Sequence, residues 1–184
     1  MIIVGIGANL PGLEGAPPLA TARWAAKRLG MLPGLHLRAL SGWFLTEPVP
    51  PSAQSPYVNA VAVLEADPSA AAPDPADLLA QLQAIEAKAG RVRGERNAAR
   101  TLDLDIIAMG ERGGMLRDAP DPILPHPRAH LRAFVLVPLL EVVPDWIHPV
   151  LRRSAADLLR DLPPQGVRAI NSAAPSDVAC SGSS

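Results

Sequence analysis

Between residues 100 and 110 the chain reads RTLDLDIIAMG, an apolar run that holds two aspartates two positions apart. Successive side chains of a strand point to opposite faces, so in a strand Leu102, Leu104 and Ile106 share one face and Asp103 and Asp105 share the other. This constrains the fold on both sides at once. The aliphatic face requires a covering layer. The aspartate face requires positive charge, because aspartate is depleted from strands and neighbouring carboxylates raise one pKa unless something cationic lies between them. Hard divalent cations with oxygen ligands relieve that conflict. Magnesium typically takes one or two carboxylates and keeps its other positions for water and phosphate oxygens. The bland alternative is a half-exposed strand with two solvated aspartates, and the neighbouring sequence weighs against it: GRVRGERNAARTLDLD sets Arg91, Arg93, Arg96 and Arg100 just ahead of Asp103. Some of these are ordinary solvated charges. Together with a metal they form a cradle for phosphate, since both stabilise negative oxygens that neither neutralises alone.

Eight of the fifteen arginines lie between Arg91 and Arg132, and lysine is reduced to Lys27 and Lys88, so cationic work falls on a planar guanidinium that grips phosphate oxygens in pairs. The net charge of -1 excludes a basic nucleic-acid-coating protein. With 48% apolar and 19% charged residues the chain suits a soluble globular fold, and 184 residues suit one domain plus a tail. We expect the domain over 1–163 and disorder over 164–184. The single Cys180 forms no internal disulfide, and neither a signal-peptide pattern nor an apolar run long enough to span a bilayer is present. The expected compartment is the cytoplasm, with no membrane partner.

Residues 2–7, IIVGIG, read as a buried first strand. A helix is expected from about Pro17 to Leu29, with Gly30 ending it in the left-handed conformation. Residues 35–46 read as a second strand and Tyr57 to Glu65 as a third, joined by the proline-rich TEPVPPSAQSP, a plausible substrate loop. DPADLLAQLQAIEAKAG is the clearest helix: Asp74 caps it, Pro75 suits the first turn, Leu78, Leu82 and Ile85 share a face, and Gly90 stops it. AFVLVPLLEVV reads as a buried helix and 154–161 as a last amphipathic turn or two. Strands two and three are joined without a helix, which favours antiparallel pairing in an α+β fold.

Tyr57 and Asn59 share a strand face, an aromatic plate beside an amide that donates and accepts, which suits a flat heterocycle. His126, between Pro125 and Pro127, reads as standing in a stiff exposed turn with little packing reason to be there, whereas His36, His130 and His148 read as surface or structural. No Gly-Lys dipeptide exists, hence no Walker A loop, and no H-R-D or D-F-G set, hence no protein kinase.

The pieces GIGANL, PYVNAVAVLE, LLAQLQAIEAKAGRVR, RTLDLDI and LPHPRAHLRAFVLVPLLEV, taken together over most of the chain, resemble the 6-hydroxymethyl-7,8-dihydropterin pyrophosphokinase family. The resemblance implies a ferredoxin-like antiparallel sheet with helices packed on it. The implied activity is transfer of a pyrophosphoryl group from ATP to a pterin alcohol with release of AMP, in folate biosynthesis. It implies that Asp103 and Asp105 hold two magnesium ions, and that Arg91, Arg93, Arg100, His126 and Arg132 surround the triphosphate. Gln83 and Glu86 match positions on the helix beside the nucleotide, with Leu79 and Ile106 near the adenine. For the pterin, Tyr57 and Phe134 match two stacking rings, Asn59 an amide that reads the edge, and Thr46, Glu47, Pro48 and Val49 the lining loop, with Asp103 reaching the same ligand. Arg91, Arg100, Asp103 and Asp105 are the implied catalytic set, and a monomer is expected. Asp103 and Asp105 are both open as proton acceptors. The chain departs from the family pattern at Ala8, where serine is common, at Glu47, where proline is common, at Asn97, Ala98 and Ala99, and at Pro127, where tyrosine is familiar. The rival readings are a magnesium phosphotransferase with another acceptor and a catalytically silent binding module.

Overall fold

The computed structural model describes residues 1–91 and 99–170. Arg93, Arg96, Asn97, Ala98 and the segment 171–184 lie outside the described residues. The element order is β1 (Ile2–Ala8), α1 (Pro18–Leu29), β2 (Leu35–Leu40), β3 (Phe44–Thr46), β4 (Tyr57–Ala66), α2 (Pro75–Lys88), β5 (Asp103–Met109), α3 (Ala133–Val142), α4 (Ala155–Arg160) and β6 (Val167–Ala169). All strand pairs are antiparallel, in the order β5-β1-β4-β3-β6, with β2 also on β4.

The expected single strand over 35–46 is two strands laid end to end along one edge of β4. β2 pairs with its second half, Leu40 opposite Ala62, and β3 with its first, Phe44 opposite Asn59. The break has a local cause. The Ser41 hydroxyl accepts from Val61 N at 2.9 Å, standing in for a ladder carbonyl, and Gly42 N turns away to donate to the Glu141 carboxylate at 2.7 Å.

Side-chain alternation along β1 separates two cores. Ile2, Val4 and Ile6 pack with Leu104, Ile106, the alanine face of α1, and Leu78, Leu82 and Ile85 of α2. Ile3 packs on the other face with Val61, Ile107, the α3 residues Val135, Leu136 and Leu139, and Trp146 and Leu158. Helices therefore cover both faces, and the buried helix expected after residue 132 is α3. Asp74 caps α2 by accepting from Ala76 N at 2.8 Å, and Gly90 closes it at φ 82°, as the sequence predicts.

Two expectations are corrected. Gly30 follows α1 with φ -70°, not left-handed. Its lack of a side chain serves a close approach, because a Cβ there would stand 3.2 Å from the Cβ of Leu37. The tail expected from Pro164 does not begin there: Val167–Ala169 joins the sheet edge, Thr46 opposite Val167. Three alternating residues between Gly166 and the chain end carry too little apolar pattern to mark a strand by themselves; the partner edge supplied by β3 is what orders them.

Leu82 is fully buried at the centre of the first core. Leu82→Ala is expected to lower unfolding stability by about 3 kcal/mol, read as a lower urea midpoint with an unchanged slope.

Candidate active site

β5 carries Asp103 and Asp105 on the face away from α1 and α2, opposite Gly7 and Gly5 of β1. Leu102, Leu104 and Ile106 are buried on the reverse face. Gly7 keeps the floor bare, whereas a Cβ on Gly5 would meet the Ile107 side chain of the second core at 3.3 Å. A Cβ on Gly7 would stand 3.2 Å from Asn59 Oδ1 and 3.8 Å from the Asp103 Cβ, so any side chain would fill the space those groups border. Above lies a cavity of about 340 Å³, lined by the aspartates, Arg100, His126, Arg132, Thr46–Pro50, Tyr57, Asn59 and Phe134.

The two carboxylates are neutralised unequally. Asp103 is gripped on both oxygens, by Arg91 Nη1 at 2.8 Å and Arg100 Nη1 at 2.7 Å. The groups nearest Asp105 are His126 Nε2 at 3.9 Å and the guanidinium Nη1 of Arg132 at 4.0 Å. Burial, and then the charge of Asp103, push the Asp105 carboxyl up to about 6 against the pull of Arg132 and Arg100. Burial, with Arg132 and Arg128 nearby, holds His126 down at about 4, so its ring is neutral at pH 7. Its Nδ1 accepts from Arg128 N at 3.2 Å, which leaves the proton on Nε2, the nitrogen that faces Asp105. His126 is thus a half-buried donor aimed at the site, not the exposed turn residue expected from its flanking prolines.

Among the described residues no group of three or more His, Cys, Asp or Glu could hold a metal. A metal here would rest on Asp103 and Asp105 and take its other ligands from water or phosphate. Two hard oxygen donors, one lacking a close cation, fit magnesium in that setting.

β5 is an edge strand, and the groups that satisfy its outer side also set the site. The buried Glu86 of α2 accepts from Leu104 N at 2.7 Å and forms an ion pair with Arg91, which in turn holds Asp103. Burial raises the Glu86 pKa, the Leu104 N–H and Arg91 acting the other way. His126 N donates to Ile107 O at 2.9 Å, hanging the histidine loop from the same edge. Asn9, at the end of β1, accepts from Arg100 N at 2.8 Å and donates to Ser55 O at 3.1 Å, tying the arginine that faces Asp103 to the segment that leads into β4.

Elsewhere in the lining the Tyr57 hydroxyl donates to Gln54 Oε1 at 2.8 Å. Asn59 donates to Thr46 Oγ1 at 2.7 Å, and both residues are buried. The Arg132 guanidinium lies 5.3 Å from the Phe134 ring centroid. The structure therefore brings Thr46–Val49, Tyr57, Asn59, Phe134, Arg100, Asp103, Asp105, His126 and Arg132 to one cavity. Leu79 and Gln83, half-buried on α2, and Ile106, buried in the core, do not line it. Sequence reasoning passed over Gly7, Asn9 and the cavity-lining Arg128; the signals were the glycine two places before an asparagine and the arginine two places after His126.

A family model, "7,8-dihydro-6-hydroxymethylpterin-pyrophosphokinase (HPPK)", matches residues 3–144. A Synechocystis 2-amino-4-hydroxy-6-hydroxymethyldihydropteridine pyrophosphokinase is 36% identical over 87% of this chain and 75% of its own length. The Pseudomonas aeruginosa protein of that name is 38% identical over 90% of this chain and 94% of its own. Among solved structures, a Plasmodium falciparum HPPK-DHPS chain aligns with TM-score 0.55 at 12% identity over 86% of this chain. This chain spans 42% of that one, a likeness of fold alone.

The Asp105 pKa predicts a pH dependence. A carboxyl whose pKa rises from 3.8 to about 6 on folding opposes folding once both states are ionised, and the penalty fades as pH falls through 6. Its side chain is 39% exposed, so water screens much of this and about 1 kcal/mol remains. His126 titrates in the opposite sense, losing stability between 6.5 and about 4, but does so in both proteins compared. In metal-free buffer Asp105→Asn should melt roughly 3 °C above the parent at pH 8, with the gap closing by pH 4.

Proposed function

The chain belongs to the 7,8-dihydro-6-hydroxymethylpterin-pyrophosphokinase family, and on that premise we propose how its residues divide the reaction. The enzyme transfers pyrophosphate from ATP to the hydroxymethyl group of 6-hydroxymethyl-7,8-dihydropterin in folate biosynthesis. The observation that carries the residue assignment is the side-by-side pair Asp103 and Asp105 on the floor of a cavity lined by guanidinium groups and by aromatic and amide groups.

The pterin enters between Tyr57 and Phe134, its flat faces covered by the rings. Asn59, held by Thr46, presents its amide to the heterocycle edge, and the backbone of Thr46, Glu47, Pro48 and Val49 closes that side. The hydroxymethyl group then points towards Asp103. ATP lies along α2 and β5, the base against Leu79 and Gln83, and the triphosphate runs towards Arg91, Arg100, His126 and Arg132. Ile106 supports that wall from the core. Glu86, already engaged by Leu104 N and Arg91, works by holding Arg91 in place. The neutral His126 donates through Nε2 to a phosphate oxygen, and Arg128 adds a guanidinium to the same group.

Asp103 and Asp105 would hold two magnesium ions, which supply charge neutralisation at the phosphate oxygens when bound. The pterin oxygen attacks the β-phosphorus in line, and AMP leaves. Positioning and charge stabilisation dominate such transfers, so a strong general base is not required. Loss of the hydroxyl proton falls to Asp103 or Asp105. Asp105, with no counter-charge closer than Arg132 at 4.0 Å among the described residues, is prepared for phosphate-bound cations. One chain carries every group named, so we propose a cytoplasmic monomer whose catalytic unit is the 1–163 domain extended through β6. No helix among the described residues is long and apolar enough to cross a membrane.

Mass spectrometry of products formed from ATP and the pterin should find AMP and pterin diphosphate in equal amounts; ADP with a pterin monophosphate would overturn the reaction type. Asp103→Asn and Asp105→Asn should each lower kcat by about a hundredfold or more. Tyr57→Ala should weaken pterin binding by about tenfold with ATP-analogue affinity unchanged in calorimetric titration.

A further inference from the structure

We propose that Gln165 is a positioning residue for the pterin pocket, and that the segment 165–170 acts as a strap fixing the spacing of its two walls. This rests on the pyrophosphokinase reading, and it concerns residues beyond the 3–144 that the family model matches.

The first N–H groups of a helix lack intrahelical acceptors, and a side chain at the N-cap usually provides one. At α3 the N-cap is Arg132, which forms no side-chain cap. Its guanidinium is turned instead towards Asp105 and the Phe134 ring. The missing acceptor arrives from far along the chain. Gln165 Oε1 accepts from Ala133 N at 2.9 Å, and Gln165 Nε2 donates to Leu131 O at 3.1 Å. One amide thus clamps the backbone on both sides of Arg132 and one residue before Phe134.

The residues that follow hold the other wall. Gly166 O accepts from Glu47 N at 3.4 Å, Val167 pairs with Thr46, and Ile170 N donates to Trp43 O at 2.7 Å. Thr46 in turn orients Asn59. The segment 165–170 therefore bonds at one end to the helix start that presents Phe134 and at the other to the strand and loop that present Thr46 and Glu47. A ligand stacked between Tyr57 and Phe134 depends on that separation. ATP, held also by Arg91 and Arg100 on a different anchor, depends on it much less.

The experiment is steady-state kinetics and pterin titration on the full chain for wild type, Gln165→Ala and Gln165→Glu. Gln165→Ala should raise the pterin KM and Kd about five- to tenfold, with the ATP KM and kcat within about twofold. In Gln165→Glu a carboxylate still accepts from Ala133 N and suits a helix N-terminus, but it has no N–H for Leu131 O. Its pterin affinity should therefore fall between those of Gln165→Ala and wild type. Unchanged pterin affinity in Gln165→Ala would overturn the proposal. So would equal losses for ATP and pterin accompanied by a lower Tm, the mark of a general structural role, and so would a Gln165→Glu protein no better than Gln165→Ala in pterin affinity. A wild-type protein that neither binds nor turns over the pterin would instead overturn the functional reading, and the strap with it.

Discussion

Two like charges on one face of a strand are unfavourable unless something positive is shared between them, and the neighbourhood of β5 is organised around that constraint. The protein relieves it for only one member of the pair. Asp103 has a guanidinium on each oxygen, whereas Asp105 meets the Arg132 guanidinium only at about the limit of an ion pair and is driven towards protonation. A site neutral in the free state would have nothing to gain from a metal-bound triphosphate. Here the deficit at Asp105 and the arginines around the cavity are complementary, and each is satisfied by a ligand carrying both cations and phosphate oxygens. Gly7 of β1 belongs to the same logic, since its lack of a side chain holds open the volume in which those charges meet.

An edge strand exposes unpaired backbone groups, and β5 uses its free edge to fix the chemistry. Glu86 satisfies Leu104 N while holding Arg91, and His126 satisfies Ile107 O through its own N–H. The acidic floor, one arginine and the histidine are therefore referenced to one strand instead of to independent loops. Asn9 extends the frame to Arg100 and to the residues that lead into the aromatic wall. Short hydrogen-bonded paths of this kind suit a reaction in which alignment of an alcohol and a phosphorus supplies most of the catalysis.

Much of this frame is legible in the order of the amino acids. The period-two pattern of RTLDLDI determines which residues face the core, and Asp74, Pro75 and Gly90 mark the ends of α2, because caps act locally. Tyr57 and Asn59 fall on one face for the same reason. What stays hidden in the sequence depends on distant partners. The division of 35–46 into two strands follows from Ser41 and Gly42 bonding to Val61 and Glu141. The burial of His126 follows from a loop folding back onto β5. The strand at 167–169 exists because β3 offers an edge. Gly30 misleads because a glycine after a helix usually signals a left-handed cap, and here it marks the close passage of β2.

The departures from the family pattern acquire physical content once their surroundings are known. Ala8 is fully buried opposite Val58, where a hydroxyl would need a partner and a methyl does not. Pro127 is exposed, and the orientation of its neighbour His126 is set by Ile107 O and Arg128 N, so the side chain at 127 has no part in fixing it. Position 47 is different in kind. Proline, the residue common there, has no N–H, whereas Glu47 donates its N–H to Gly166 O. The same substitution that breaks the family pattern therefore adds the bond by which the C-terminal segment reaches the pterin loop. The loop and the strap read as a matched pair: a chain with proline at 47 would have to hold that wall by another contact.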